Sequence, residues 1–294
     1  MLPKGNFPAQ VYLNGDILAP DQAKISVFDR GFFFGDGIYE VMVQLENGIF
    51  YKKAHLDRLQ RNLDEIGIGY DVDQLEKAVE PLLRASGLTQ RECLIYMQIS
   101  RGAAPRRHAF PPDTAPTVMM YALPTALPRI NEKSMEGVTL EDLRWHMCHI
   151  KSTSLLANVM ANTAAVVDGF DEGILVRDGT ITEGSHTNIF FVKDGSLLTH
   201  PADRHILNGI TRRIVLELCR EMGIPVIEKG VALEDIAGME EAFLTGTTTQ
   251  IASLHQLDGH FYGTLGEIGP MTQRIQGAFA KLRDRDSSNL SLPL

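Results

Sequence analysis

The chain has 294 residues, 44% hydrophobic and 22% charged, with a formal net charge of -9 at pH 7. This length allows one large or two medium domains with a true apolar core, and the acidic balance opposes a nucleic-acid partner, which calls for a basic field. Three cysteines, Cys93, Cys148 and Cys219, lie far apart and form no C-x-x-C pair; neither a disulfide framework nor a zinc site is expected, and a reducing cytoplasm is. Met1 to Gln10 holds one lysine and no apolar run, unlike a signal peptide, and no segment approaches the ~20 apolar residues of a membrane span.

Taken in chain order, Val11 to Asp16 reads as a strand entering an Asn14-Gly15 turn. The same turn chemistry recurs at Asn47-Gly48, Asp178-Gly179, Asp194-Gly195 and Asp258-Gly259, each flanked by β-prone residues, so antiparallel hairpins are expected. Leu56, Leu59, Leu63 and Ile66 share one helical face, followed by Leu75, Val79 and Leu82. Thr117 to Tyr121 reads as a strand, and Pro124 and Pro128 then interrupt the chain. Ile214, Leu218 and Met222 mark another helix, and Met271, Ile275 and Leu282 a weaker one. The polar tail Asp284 to Leu294 reads as frayed. These apolar stripes are core faces.

The interruption suggests a small α+β domain over residues 1–121, a linker over 122–129 and a larger domain over 130–294. Strands mixed with helices, without regular βαβ alternation, argue for an α+β fold and against a doubly wound sheet. Common signatures are missing. No G-x-x-x-x-G-K-[ST] loop is present, and no G-x-S-x-G elbow. Gly35-Asp36-Gly37 begins like a dinucleotide fingerprint, but Glu40 stands where the third glycine belongs. His146 and His149 are three apart, yet lack obvious acidic co-ligands; they read as a half-exposed strand pair, and no metal is expected.

Reactive and phosphate-friendly groups concentrate in four segments: Asp29 to Glu40, Ser100 to His108, Arg144 to Ser152 and Thr182 to Phe190. Behind them come Leu207 to Thr211 and Thr245 to Thr249. Lys151 stands where a strand meets the weakly apolar run Ser154 to Val166; such a lysine can do Schiff-base chemistry, although a lone lysine is more often solvated. Gly209-Ile210-Thr211 opens a helix, and helix starts bind phosphate. Thr247 and Thr248 add hydroxyls in a loop.

Together, D-R-G-x-x-F-G-D-G-x-Y-E, P-R-x-H-x-F-P, D-x-R-W-x-x-x-x-I-K-S, T-E-G-S-x-x-N and L-x-G-I-T-R resemble the class IV aminotransferases. These are fold-type-IV pyridoxal-phosphate enzymes, and the likeness is greatest to the branch acting on D-amino acids. It runs from about Val11 to about Leu282. It implies a two-domain α+β fold whose larger domain has a β-barrel-like core.

The resemblance also implies residue roles. Lys151 would carry pyridoxal 5'-phosphate as a Schiff base and shuttle the substrate's α-proton. Glu183 would contact the pyridine nitrogen, keeping the ring an electron sink. Arg58 would bind the phosphate with Ile210, Thr211 and Thr247, Arg144 would contact the cofactor's 3'-oxygen, and Leu207 would pack on the ring. Tyr39, Arg106 and His108 would hold the substrate's carboxylate, the last two from a neighbouring subunit of a homodimer. The implied reaction is ping-pong amino transfer between D-amino acids, such as D-alanine, and 2-oxo acids, such as 2-oxoglutarate. Branched-chain L-amino acid aminotransferases and aminodeoxychorismate lyases share the pattern, but Pro105-Arg106-Arg107-His108 argues against both. Ser185-His186-Thr187 and Gly246 replace serines of the family pattern, and Arg107 adds a charge.

Overall fold

The Asn-Gly and Asp-Gly dipeptides at 14–15, 47–48, 178–179, 194–195 and 258–259 each close an antiparallel hairpin in the computed structural model of the chain. In four of them both turn residues have positive φ: Asn14-Gly15, Asp178-Gly179, Asp194-Gly195 and Asp258-Gly259. That backbone twist matches the twist of the strands it joins. The structure describes residues 6–131, 134–263, 267–285 and 287–292. Of the segments read from sequence, Met1 to Gly5, Asp286, Pro293 and Leu294 lie outside the described residues.

The chain forms two compact units. The first comprises residues 1–126, 150–155 and 286–291, and the second 127–149, 156–285 and 292–294. In unit 1 the elements are β1 (Val11–Leu13), β2 (Asp16–Leu18), α1 (Arg30–Phe34), β3 (Gly37–Leu45), β4 (Gly48–Ile49), α2 (Lys52–Glu65), α3 (Val72–Ala85), β5 (Cys93–Ser100) and β6 (Thr117–Pro124). The six strands make one antiparallel sheet in the order β2-β1-β6-β5-β3-β4. Alternation sorts its side chains. Ile38, Met42, Ile95, Met97, Ile99, Val118 and Met120 join one core with Leu56, Leu59 and Leu63 of α2 and Leu75, Val79 and Leu82 of α3. The opposite face carries Tyr39, Tyr96 and Tyr121, whose rings stack in turn at centroid distances of 5.7 and 5.1 Å.

Unit 2 contains β7 (Ser134–Glu141), α4 (Leu156–Val167), β8 (Glu172–Arg177), β9 (Thr180–Gly184), β10 (Asn188–Lys193), β11 (Ser196–Thr199), α5 (Ile210–Glu221), β12 (Val226–Glu228), a 3-10 turn at Leu233–Gly238, β13 (Glu241–Gly246), β14 (Gln250–Leu257), β15 (His260–Phe261) and α6 (Pro270–Arg283). Its nine strands follow the order β12-β11-β10-β13-β14-β7-β8-β9, with β15 beside β14. The sheet curls until β9 and β10 touch. A mixed α+β fold with a curled, half-barrel sheet agrees with the expected class. The curl encloses Ile174, Ile181, Ile189, Phe191, Leu244, Ala252 and Leu254.

Three expectations need correction. In α6 the buried face is Thr272, Ile275, Gln276 and Phe279, while Met271 and Leu282 are only half-buried. Gln276 can face inward because its amide donates to the carbonyls of Ile130 and Ile251, both at 2.9 Å, satisfying a polar group that would otherwise oppose burial. The tail is anchored over its described part: Ser287 Oγ accepts from Tyr51 N, Ser288 O from Lys53 N, and Leu292 O from Arg213. His146 and His149 lie in turns rather than on a strand.

Gly35 ends α1 with φ +62, and a Cβ there would stand 2.5 Å from Ser154 Oγ. Gly35→Ala should therefore destabilise unit 1 by about 1–3 kcal/mol. Urea unfolding checks this, and an unchanged midpoint would show that the backbone relaxes.

Candidate active site

In unit 1, β3 presents two functional neighbours to opposite faces because successive side chains alternate. Tyr39 points to the aromatic face, and Lys151 Nζ lies 4.2 Å from the centre of its ring. The lysine's backbone is fixed independently: its N–H donates to Asn62 Oδ1 at 2.8 Å, and its carbonyl accepts from Tyr39 N at 3.1 Å. Ser152 bridges to Ile38. Lys151 thus lies half-buried, pinned to β3 on one side and α2 on the other.

Glu40, the next residue, faces α2 and is fully buried. Arg58 donates to it through Nε at 2.9 Å and Nη2 at 2.8 Å, and His55 Nδ1 lies 2.9 Å away. Burial alone would raise this carboxyl, but Arg58 and His55 overcome it and hold Glu40 well below the usual carboxylate range. The His55 pKa is lowered as well: burial, with Arg58 and Lys151 nearby, outweighs Glu40. Arg58, expected to meet a phosphate, is here oriented by an ion pair that spacing did not reveal.

Arg106 and His108 come together on an exposed loop after β5. The Arg106 guanidinium lies 5.2 Å from the centre of the Phe34 ring, and the His108 ring 5.7 Å from it. One aromatic ring therefore meets both the Arg106 guanidinium and the His108 imidazole.

In unit 2, β9 and the segment after β7 bring Glu183 and Arg144 into an ion pair. Arg144 is fixed from behind by Asp142, whose carboxylate accepts from Nε and Nη2, both at 2.9 Å. Glu183 also accepts from Asn188 Nδ2 at 2.8 Å and from Leu207 N at 3.1 Å. Burial pushes its carboxyl up to about 7, against the pull of Arg144 and the Leu207 N–H. Asp142 and Asn188 received no role in the sequence reading, although both stand inside quoted motifs.

Ile210 and Thr211 open α5, whose N-cap Gly209 makes no side-chain capping bond; helix starts carry unpaired N–H groups suited to an anion. A Cβ at Gly209 would collide with Asn188 Oδ1, so glycine lets this helix start approach the residue that orients Glu183. Thr247 is half-buried in the turn between β13 and β14, and the buried hydroxyl of Thr245, opposite Asn188 in the register, has no partner. This donor set fits a group with a basic ring nitrogen and an anionic arm. Ser185 and Thr187 instead turn their hydroxyls to the buried Glu172, at 2.5 and 3.1 Å. Elsewhere in this unit His200, Asp203 and His205 bring potential metal-ligand atoms within 4.8 Å, a grouping the sequence reading did not single out.

Residues 37–257 match the family described as amino-transferase class IV. The chain belongs to that family. It is an aminotransferase, and its relatives align over nearly the whole length. D-alanine aminotransferase from Staphylococcus haemolyticus is 36% identical over 283 residues, covering 95% of this chain and 99% of that protein. D-alanine aminotransferase from Bacillus licheniformis is 36% identical, covering 92% and 95%. Among solved structures, branched-chain amino acid aminotransferase from Escherichia coli superimposes with TM-score 0.86 at 25% identity, covering 98% of this chain and 99% of that one. The branched-chain aminotransferase of Thermoproteus uzoniensis, with norvaline, gives TM-score 0.85 at 27% identity, covering 97% and 98%.

In this aminotransferase the depressed pKa of Glu40 has a direct consequence for stability. Its contribution is present above the ordinary glutamate value, about 4.3, and is lost as pH falls below it. Glu40→Gln should cost about 3–5 kcal/mol at pH 7 by stranding Arg58, and should flatten the fall in stability between pH ~5 and ~2. Urea unfolding across that range is the measurement; a variant with the wild-type acid limb would exclude Glu40 as its source.

Proposed function

We propose that this aminotransferase binds pyridoxal 5'-phosphate and exchanges an amino group between D-amino acids, such as D-alanine, and 2-oxo acids, such as 2-oxoglutarate. The observation that carries the reading is the pairing of Arg106 and His108 on one exposed loop, in a chain whose near-full-length relatives are named D-alanine aminotransferases. A guanidinium and an imidazole held side by side suit a carboxylate, and a charge-assisted contact is worth about 1.5–3 kcal/mol. Tyr39 is the third carboxylate ligand.

When bound, the cofactor supplies an electron sink for the charge that develops at the substrate's α-carbon. Lys151 holds the cofactor and moves the proton at that carbon. Its amine stands over the Tyr39 ring while its backbone is fixed on both sides, which limits the amine's search to the side-chain torsions. Glu183 would hold the ring nitrogen, and its carboxyl, which burial brings to about 7, would share a proton with it. Arg144 would hold the 3'-oxygen, and Asp142 keeps the guanidinium from swinging away. Leu207 would pack on the ring, and its N–H fixes Glu183. Arg58, Ile210, Thr211 and Thr247 would hold the phosphate.

A homodimer is part of the proposal, with Arg106 and His108 serving the neighbouring subunit. Their exposure supports it, as do the exposed Leu156, Val159, Met160, Val166 and Val167 of α4, since exposed apolar surface of this extent marks an interface. The three cysteines are unpaired and buried, which supports a cytoplasmic location. No helix among the described residues is long and apolar enough to cross a membrane.

Purified protein should carry a visible absorption band from covalently held cofactor, and Lys151→Ala should abolish it; an unchanged spectrum would remove Lys151 from its role. In coupled assays D-alanine should greatly outperform L-alanine. Activity confined to L-leucine or L-valine would instead assign the enzyme to the branched-chain reaction of its structural neighbours. Arg106→Ala should raise KM for the amino donor about tenfold or more, and wild-type kinetics would exclude its carboxylate role.

A further inference from the structure

The loop carrying Arg106 and His108 is exposed from Pro105 to Phe110, yet the side chain that receives it is buried. Arg30 is 3% exposed, and its fork is divided. Nε donates to Asp36 Oδ2 at 2.6 Å, while Nη1 donates to the carbonyl of Arg107 at 2.6 Å and Nη2 to that of His108 at 3.4 Å. Asp36 is held in turn by Arg101, whose Nε donates to it at 2.9 Å. The remaining nitrogens of Arg101 donate to the carbonyls of Ile66 and Gly67, at 2.7 and 2.8 Å, beyond the end of α2. A continuous relay thus runs from the end of α2 through Arg101, Asp36 and Arg30 to the backbone of the loop.

Two aromatic rings complete the mould. Phe110, at the far end of the loop, lies with its ring centre 3.6 Å from the Arg101 guanidinium. Phe34 lies beneath Arg106 and His108 and also 4.8 Å from the Arg30 guanidinium. Charge makes this arrangement specific. Arg30 and Arg101 both meet Asp36, so their mutual repulsion is offset by one carboxylate, and neither is left as an unpaired buried cation.

We propose that Arg30, Asp36 and Arg101, with Phe34, are positioning residues that set the pose of Arg106 and His108, and so determine affinity for the substrate's carboxylate without touching it. The proposal rests on the carboxylate role given above to Arg106 and His108. An arginine is required at position 30 because two successive carbonyls and a carboxylate must be met at once; a lysine ammonium can keep the ion pair but lacks the planar fork. Fixing the loop in advance also lowers the ordering cost of binding.

The test uses Arg30→Lys in the cofactor-loaded enzyme, with Phe34→Leu as a second variant. Hydrogen–deuterium exchange should quicken over residues 103–110 while the remainder of the protein keeps its wild-type protection. KM for D-alanine should rise about tenfold with kcat within about threefold. In a double-mutant cycle with Arg106→Ala the two effects should fall well short of additive, because both act on one contact. Unchanged loop exchange, a wild-type KM, or full additivity in a folded variant overturns the proposal. If Arg30→Lys fails to fold, Phe34→Leu is judged by the same exchange and KM criteria. An enzyme without D-amino acid activity would sink the functional reading alone, and loop exchange would still decide whether the relay holds the loop.

Discussion

A carboxylate taken out of water must be met by donors or give up its charge, and two such groups, Glu40 and Glu183, organise the chemistry of their respective units. Solvation lost on burial amounts to several kcal/mol per ion. Glu40 recovers it from a bidentate arginine and an imidazole. Glu183 meets one arginine nitrogen, one amide and one backbone N–H. The difference in donor strength sends the two carboxyls in opposite directions. Glu40 becomes a fixed charge that orients Arg58, whereas burial pushes the Glu183 carboxyl up to about 7.

The same division between fixed and responsive groups runs through the other candidates. Lys151 is anchored by its main chain, so the amine is free while its origin is not. Arg144 is anchored by its side chain, with Asp142 behind it and Glu183 in front. Neither arrangement depends on long exposed side chains finding one another, which costs rotamer entropy and contributes little. Arg106 and His108 are the exception, exposed and resting on one ring. Exposed loop groups of this kind contribute little to holding the fold.

Much of this was legible in the sequence because it is encoded over short distances. Asp178-Gly179 or Asn14-Gly15 specifies a turn within two residues, and Leu56, Leu59 and Leu63 specify a helical face within eight. Lys151, Glu183, Arg144 and Leu207 were picked out by ordered motifs, not by periodicity. The Glu40–Arg58 pair was not legible. The two residues are 18 apart and meet only because β3 alternation turns Glu40 toward α2, a packing outcome that no local pattern contains. The α6 face was misjudged for a related reason: Gln276 reads as polar surface until its amide finds two carbonyls from distant segments. The tail misled through composition, since serines suit a frayed end as well as they suit a hydrogen-bonded one.

Unit 1 is not built from one stretch of chain. Its sheet and helices come from the first 126 residues, yet it also takes in residues 150–155 and 286–291, and Ser287 bonds to Tyr51 across 236 positions of sequence. Closing a loop of that length is slow rather than prohibitive, because each doubling adds only about 0.6 kcal/mol of closure entropy, while non-local pairing dominates the folding barrier. During synthesis the first unit therefore waits twice, first for its Lys151 segment and then, long after, for the strap that carries Ser287. The segment that brings in Lys151 reaches unit 1 ahead of the strap that completes it, so the order of assembly at this unit is written into the connectivity.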